Sequence, residues 1–388
     1  MKKIGKLGKT LLAAVLAIDV VGIMGEQIRW GPPHFPAAVP PLPPQTVTAM
    51  AELQPRLPEI TARAACVMTG EGVLLGGKTA ETPYPIASTT KILTTLLTLE
   101  LGEGQLDTPF FAGDEVKVEG SALGIKPGAE VTLRLLCSGM LLSSGNDAAA
   151  AAAVRLGGSI EGFAALMNDR AAAIGMKNSC FVTPSGLDAE GQGVSAYDLA
   201  LLTAEALRSP DFREICSKKQ AHMTVGGTDY WMTNHNKLLG DYPGCIGVKT
   251  GFTDKAGRCL VAAAERDGAT VIAVLLHDPN DWTDAKKLLD WGFSQLEERV
   301  LSVDLSAVRI PLRQTAEEIL AGAPIRRLSV TVEPTKLLLA PGESITPNAA
   351  LAESLPADAR PGDPAGIVRW VDGNGRVRGW EVVYLSEE

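Results

Sequence analysis

The chain has 388 residues, 46% hydrophobic and 21% charged, with a formal net charge of −9. That length exceeds one ordinary core and favours two or three domains, and the apolar share excludes a disordered chain. The acidic balance, with no long basic run, excludes nucleic acid as the main partner. The six cysteines (Cys66, Cys137, Cys180, Cys216, Cys245, Cys259) form no C-x-x-C pair, and none of the four histidines stands at metal-ligand spacing. No metal or other cofactor is therefore expected, and the thiols are expected to be free and buried.

Residues 1–25 open with Lys2, Lys3, Lys6 and Lys9, and an apolar run follows from Leu11 to Met24. A basic stretch before a short apolar one is the build of an export signal. A cleaved signal peptide and a retained N-terminal anchor both fit, because Asp19 interrupts the run and no clean A-x-A site follows. Seven prolines between Pro32 and Pro44 make residues 26–57 an extended, semi-rigid linker.

Folded structure is expected from residue 58. Ala64–Met68 and Val73–Leu75 flank Thr69-Gly70-Glu71-Gly72 and read as a hairpin. Pro83 and Pro85 end it and lead to Ser88-Thr89-Thr90-Lys91, with the apolar Ile92–Leu97 behind. Short strand-like pieces rich in glycine fill 110–136. An alanine-rich helix follows Ser144-Gly145-Asn146-Asp147, with Asn146 or Asp147 expected to cap it. Helices are also expected at Ile160–Ile174 and Ala196–Ala206, and at Trp282–Glu298 with Ala285, Leu288, Leu289, Gly292 and Leu296 on one stripe. Strands are expected at Cys245–Phe252, Cys259–Ala264 and Thr270–Leu276, the last two joined through Asp267-Gly268. This order implies an α+β fold, an antiparallel sheet covered by helices with a mainly helical insertion. From residue 298 to 388 short alternating runs between prolines and glycines suggest a small all-β sandwich domain.

Three short motifs carry the chemistry: Ser88-x-x-Lys91, Ser144-Gly145-Asn146 and Lys249-Thr250-Gly251. One turn of helix brings Ser88 and Lys91 onto one face. A serine hydroxyl needs a neighbouring base, and a desolvated lysine amine can serve as one. The first motif arises by chance roughly once or twice in a chain this long, and each of the others in about one chain in ten. All three in this order make a strong signal, the set used by serine acyl-enzymes that bind penicillin.

Together with Phe163, Met167-Asn168 and Thr233-Asn234, these motifs resemble the low-molecular-mass D-alanyl-D-alanine carboxypeptidases, peptidase family S11, over residues 58–296. The tail resembles the β-rich domain that many of them carry. The resemblance implies a serine β-lactamase/D,D-peptidase-like fold with a transpeptidase-like catalytic domain. It implies an enzyme that removes the terminal D-alanine from peptidoglycan stem peptides and is acylated by β-lactams. Ser88 would be the nucleophile, Lys91 the general base and Ser144 the proton relay to the leaving amine. Asn146 would hold the substrate amide and Lys91; Lys249 and Thr250 would meet the terminal carboxylate, and Gly251 would leave room for an extended peptide. The backbone N–H groups of Ser88 and Phe252 would form the oxyanion hole. An extracytoplasmic, cell-envelope location follows, secreted or with membrane association through the N-terminal segment.

Two departures stand out. Ser185 occupies the place of a histidine common in the family, and no role is assigned to it. Asp281 occupies the place of an arginine that helps hold the carboxylate in many relatives. Three other readings share the motifs: a D,D-endopeptidase, a β-lactamase-like hydrolase and a non-catalytic wall scaffold. The middle third has no Glu-x-x-Leu-Asn, the signature of fast deacylation in class A β-lactamases, which disfavours the second.

Overall fold

The structure is a computed structural model that describes residues 56–373 and 375–387. The N-terminal leader and nearly all of the proline-rich linker lie outside the described residues. Two compact units emerge: residues 56–299 with 338–342, and residues 300–337 with 343–387.

The first unit is built on a five-stranded antiparallel sheet. Its strands are β1 (Ala64–Thr69), β2 (Leu74–Lys78), β3 (Cys245–Thr253), β4 (Gly257–Arg266) and β5 (Ala269–Leu276), in the order β3-β4-β5-β1-β2. The expected hairpins are present, and Asp267 and Gly268 both take positive φ, as a type I′ turn requires. Side chains alternate between two cores. Cys66, Met68, Val261, Ile272 and Val274 enter one; Ala65, Val67, Leu260, Ala262, Val271 and Ala273 enter the other. Burial on both faces explains why the central strands read as unbroken apolar runs.

The larger core is filled by α1 (Lys91–Leu101), α2 (Leu133–Leu141), α3 (Asn146–Gly157), α4 (Ile160–Ile174), α5 (Ala196–Ala206) and α6 (Pro210–Ser217). α1 is buried over its whole circumference, as its nearly uninterrupted apolar and threonine sequence dictates. Two of its threonines find carbonyl partners: Thr94 Oγ1 donates across the fold to Pro184 O (2.6 Å), and Thr98 Oγ1 donates one turn back to Thr94 O (2.7 Å).

The opposite sheet face is covered by α7 (Asp281–Ser294) through Ala285, Leu288, Leu289 and Phe293. The helix is shorter than the expected Trp282–Glu298. Ser294 Oγ and Gln295 Nε2 both donate to Trp291 O (2.6 and 3.3 Å), taking the carbonyl that another turn would use. Glu297–Leu301 is a strand instead.

All six cysteines are free. Cys66, Cys137, Cys216 and Cys259 are buried as expected, but Cys180 is exposed and Cys245 is half-buried. Cys180 lies in the two-residue strand Ser179–Cys180, and Cys245 opens the edge strand β3.

The second unit is β-rich. Its main sheet is antiparallel, in the spatial order Arg309–Pro311, Arg327–Val332, Val377–Ser386, Pro364–Asp372, Ile345–Leu351. Val368, Trp370, Val382, Val383 and Leu385 are buried, and the Trp370 indole donates to Thr335 Oγ1 at 2.7 Å.

Candidate active site

The strand Pro83–Tyr84 pairs with Gly193–Ser195 and delivers the chain to a single 3₁₀ turn, Ala87–Thr90. Residues three apart eclipse in a 3₁₀ turn. This sets half-buried Ser88 directly under Lys91, the first residue of α1, with Lys91 Nζ 2.8 Å from Ser88 Oγ. The turn is entered through Ala87 at φ +48°, a left-handed conformation that strains an L-residue.

Gly186 supports it from outside. It sits at φ +82°, and a Cβ there would lie 1.9 Å from Ala87 O. Gly186→Ala is expected to destabilise the first unit by about 2 kcal/mol or more, read in denaturant unfolding, and to slow any acylation of Ser88.

Lys91 is completely buried. Besides Ser88 it reaches Asn146 Oδ1 (2.7 Å) and Ser185 O (2.7 Å). Burial, then the charge of Lys249, push its pKa well below the ordinary lysine value, with Asp147 opposing. The Asn146 amide cannot turn round, because its Nδ2 donates to Glu119 O at 2.7 Å. Two of the three neighbours are thus acceptors only. A neutral amine satisfies both with its two N–H bonds and leaves its lone pair for the Ser88 hydroxyl proton. The surroundings favour the neutral amine.

Asn146 and Asp147 do not cap α3, contrary to expectation. Gly145 is the flanking residue and no side chain caps the helix. Asn146 is drawn to Lys91 and Glu119. Asp147 accepts from the N–H groups of Leu123 (2.8 Å), Gly124 (2.8 Å) and Ile125 (3.0 Å), fixing the loop that flanks Asn146. Ser144, two residues before Asn146, is buried and held at φ +60°. Backbone strain therefore falls just before the first motif, at Ala87, and on the second, at Ser144.

The third motif lies on β3, at the sheet edge. Lys249 is 1% exposed, its Nζ donates to Thr250 O (2.8 Å), and burial lowers its pKa to about 7. Gly251 answers to a close approach. A Cβ there would stand 2.9 Å from Ile86 O and 3.1 Å from Ser88 N. The glycine thus lets β3 press against the turn that carries Ser88, which the expectation of room for a peptide did not include. Phe252, next in line, is 64% exposed.

Asp281, at the start of α7, is buried and accepts from Arg258 Nη2 with both oxygens (2.7 and 2.9 Å). Arg258 faces Phe252 across the β3–β4 ladder. Asn168 and Asn234, conspicuous in the sequence, serve the scaffold. Asn168 bridges both backbone groups of Phe181, and Asn234 donates to Cys216 O and Lys218 O.

Three participants escape a sequence reading. The carbonyls of Glu119 and Ser185 act through the backbone and have no side-chain signature. Arg258 lies outside every motif, and only its alternation with Leu260 on β4 could have placed it on the face of Thr250 and Phe252.

Residues 48–280 match the sequence pattern of peptidase S11, D-alanyl-D-alanine carboxypeptidase. The chain belongs to this family. Among its peptidase S11 relatives, D-alanyl-D-alanine carboxypeptidase DacF of Bacillus subtilis is 34% identical over 247 residues, covering 61% of this chain and 63% of DacF. DacB2 of Mycobacterium tuberculosis is 36% identical over 232 residues, covering 58% of this chain and 79% of the relative. The match thus spans somewhat less than two thirds of DacF. Among solved structures, the Streptomyces K15 DD-transpeptidase superposes with a TM-score of 0.59 at 30% identity, over 62% of this chain and all of that one. A D-alanyl-D-alanine carboxypeptidase from Mycobacterium tuberculosis gives 0.58 at 33% identity, over 62% and 94%.

Proposed function

We propose that the chain is a serine-type D-alanyl-D-alanine carboxypeptidase, exported to the cell envelope, that trims peptidoglycan stem peptides. The observation that carries this is the buried Lys91 amine, its Nζ 2.8 Å from Ser88 Oγ and 2.7 Å from each of two carbonyl oxygens, Asn146 Oδ1 and Ser185 O. Ser88 Oγ attacks the carbonyl between the two terminal D-alanines while Lys91 takes its proton. The oxyanion that forms is received by the N–H groups of Ser88 and Phe252, which the close approach at Gly251 draws together. Ser144 passes a proton to the leaving amine, the C–N bond breaks, and D-alanine departs. Water then attacks the acyl-Ser88 ester and restores the hydroxyl. Lys249 and Thr250 meet the peptide's terminal carboxylate, Asn146 its amide, and the free edge of β3 accepts the extended backbone. A β-lactam enters by the same attack on its ring carbonyl and stays bound as an ester.

The test is release of D-alanine from a pentapeptide ending in D-Ala-D-Ala, followed by mass spectrometry. One D-alanine per peptide is expected. A folded protein that releases none would favour a wall-binding scaffold, and rapid turnover of the penicillin ester would favour a β-lactamase.

A further inference from the structure

The place where the family resemblance leads one to expect a carboxylate-binding arginine is filled by Asp281. This residue is not an empty substitution. It is buried, its backbone neighbour Trp282 N donates to Oδ1 (2.9 Å), and both its oxygens hold Arg258 Nη2. The acid has exchanged a cation on the helix for one on the adjacent strand.

Arg258 stands well for recognition. It pairs with Phe252 on β3, so it shares a sheet face with Phe252 and, two residues away, with Thr250. Such diagonal neighbours lie roughly 7–8 Å apart, within an arginine's reach of a ligand on the Thr250 hydroxyl. Its guanidinium lies 5.9 Å over the Trp282 ring, and Lys237 Nζ lies 5.9 Å over the same ring. Asp281 occupies only Nη2. Among the described residues Nε and Nη1 meet no acceptor, and the side chain is 43% exposed. The result is a permanently charged fork, fixed from behind and open in front. Lys249, by contrast, loses its charge near pH 7.

We propose that Arg258, oriented by Asp281 and Trp282, binds the free C-terminal carboxylate of the peptide substrate beside Thr250. This rests on the carboxypeptidase reading above. Arg258 thereby makes the site select a chain end over an internal peptide bond.

The experiment compares two reactions at Ser88: hydrolysis of a D-Ala-D-Ala peptide with a free carboxylate, and phosphonylation by an uncharged fluorophosphonate. Arg258→Gln is expected to lower kcat/KM for the peptide at least tenfold, mainly through KM, while the phosphonylation rate moves by less than about twofold. Arg258→Lys, which keeps a cation, is expected to fall between wild type and the glutamine variant. Equal loss in both reactions would make Arg258 a mere tie between β4 and α7 and overturn the proposal, as would no loss in either. Thermal unfolding identifies a glutamine variant that fails to fold, and the lysine variant then decides: wild-type KM overturns the proposal and a raised KM supports it. A wild-type protein that penicillin does not acylate would remove the carboxypeptidase reading itself, a result distinct from a variant that behaves like wild type.

Discussion

Ser88→Ala is expected to give a folded protein that no labelled penicillin marks covalently. In the proposed mechanism the hydroxyl is the atom to be acylated, and the adjacent threonine offers no alternative. Thr89 Oγ1 is buried and donates to Ile86 O at 2.7 Å, turned away from Lys91. The mutation removes one oxygen from a half-buried position, so stability should stay within about 1 kcal/mol of wild type. Lys91 keeps Asn146 and Ser185 as partners. Gel fluorescence after incubation with labelled penicillin, alongside a thermal melt, checks both halves. An adduct on the alanine variant would show that the nucleophile lies elsewhere.

Lys91→Met is the second expected large loss, about 10²–10⁴-fold in the acylation rate, with Ser88 intact. On the proposed mechanism the cause is the missing base, and the pH profile of wild type should reveal it. Lys91 works in the proposed mechanism as the neutral amine. Its pKa is lowered by burial and then by Lys249, so activity is lost as pH falls through that lowered value. In the proposed mechanism Lys249 works as the cation. Burial holds it at about 7, so its share of carboxylate binding is lost as pH rises through about 7. The profile of kcat/KM should therefore be a bell with its alkaline limb near 7. Lys249→Arg should move that limb upward, since a guanidinium stays charged. Desolvation, and then the charge of Lys249, hold His235 below its ordinary value. Stopped-flow acylation across the pH range checks the profile, and a limb unmoved in the arginine variant would assign it to another group.

How far the sequence revealed this molecule depended on what kind of group did the work. Side chains in fixed short spacings were legible: Ser88 and Lys91 by one turn, Asn146 beside the alanine run, Lys249 on a strand edge. Apolar periodicity revealed the central sheet and most helices, because burial on two faces leaves unbroken runs such as Thr270–Leu276. Local capping rules misread Asn146 and Asp147, since tertiary partners 55 and 22–24 residues away claimed their oxygens. The end of α7 was missed because two polar side chains, not a proline or glycine, intercept Trp291 O. The acceptors on Glu119 and Ser185 are backbone atoms, and no residue type announces them. The sense of Asp281 emerges only once β4 lies beside α7 and supplies Arg258.

The grip of Asp147 on Leu123, Gly124 and Ile125 has a consequence for affinity. A single buried carboxylate fixes three consecutive amides of the segment next to Asn146, and Asn146 N donates to Ser121 O at 2.7 Å. That segment is ordered before any peptide arrives. A peptide bound as proposed above would pay none of the entropy that a closing flap would demand, and its binding energy could go to the bond being broken.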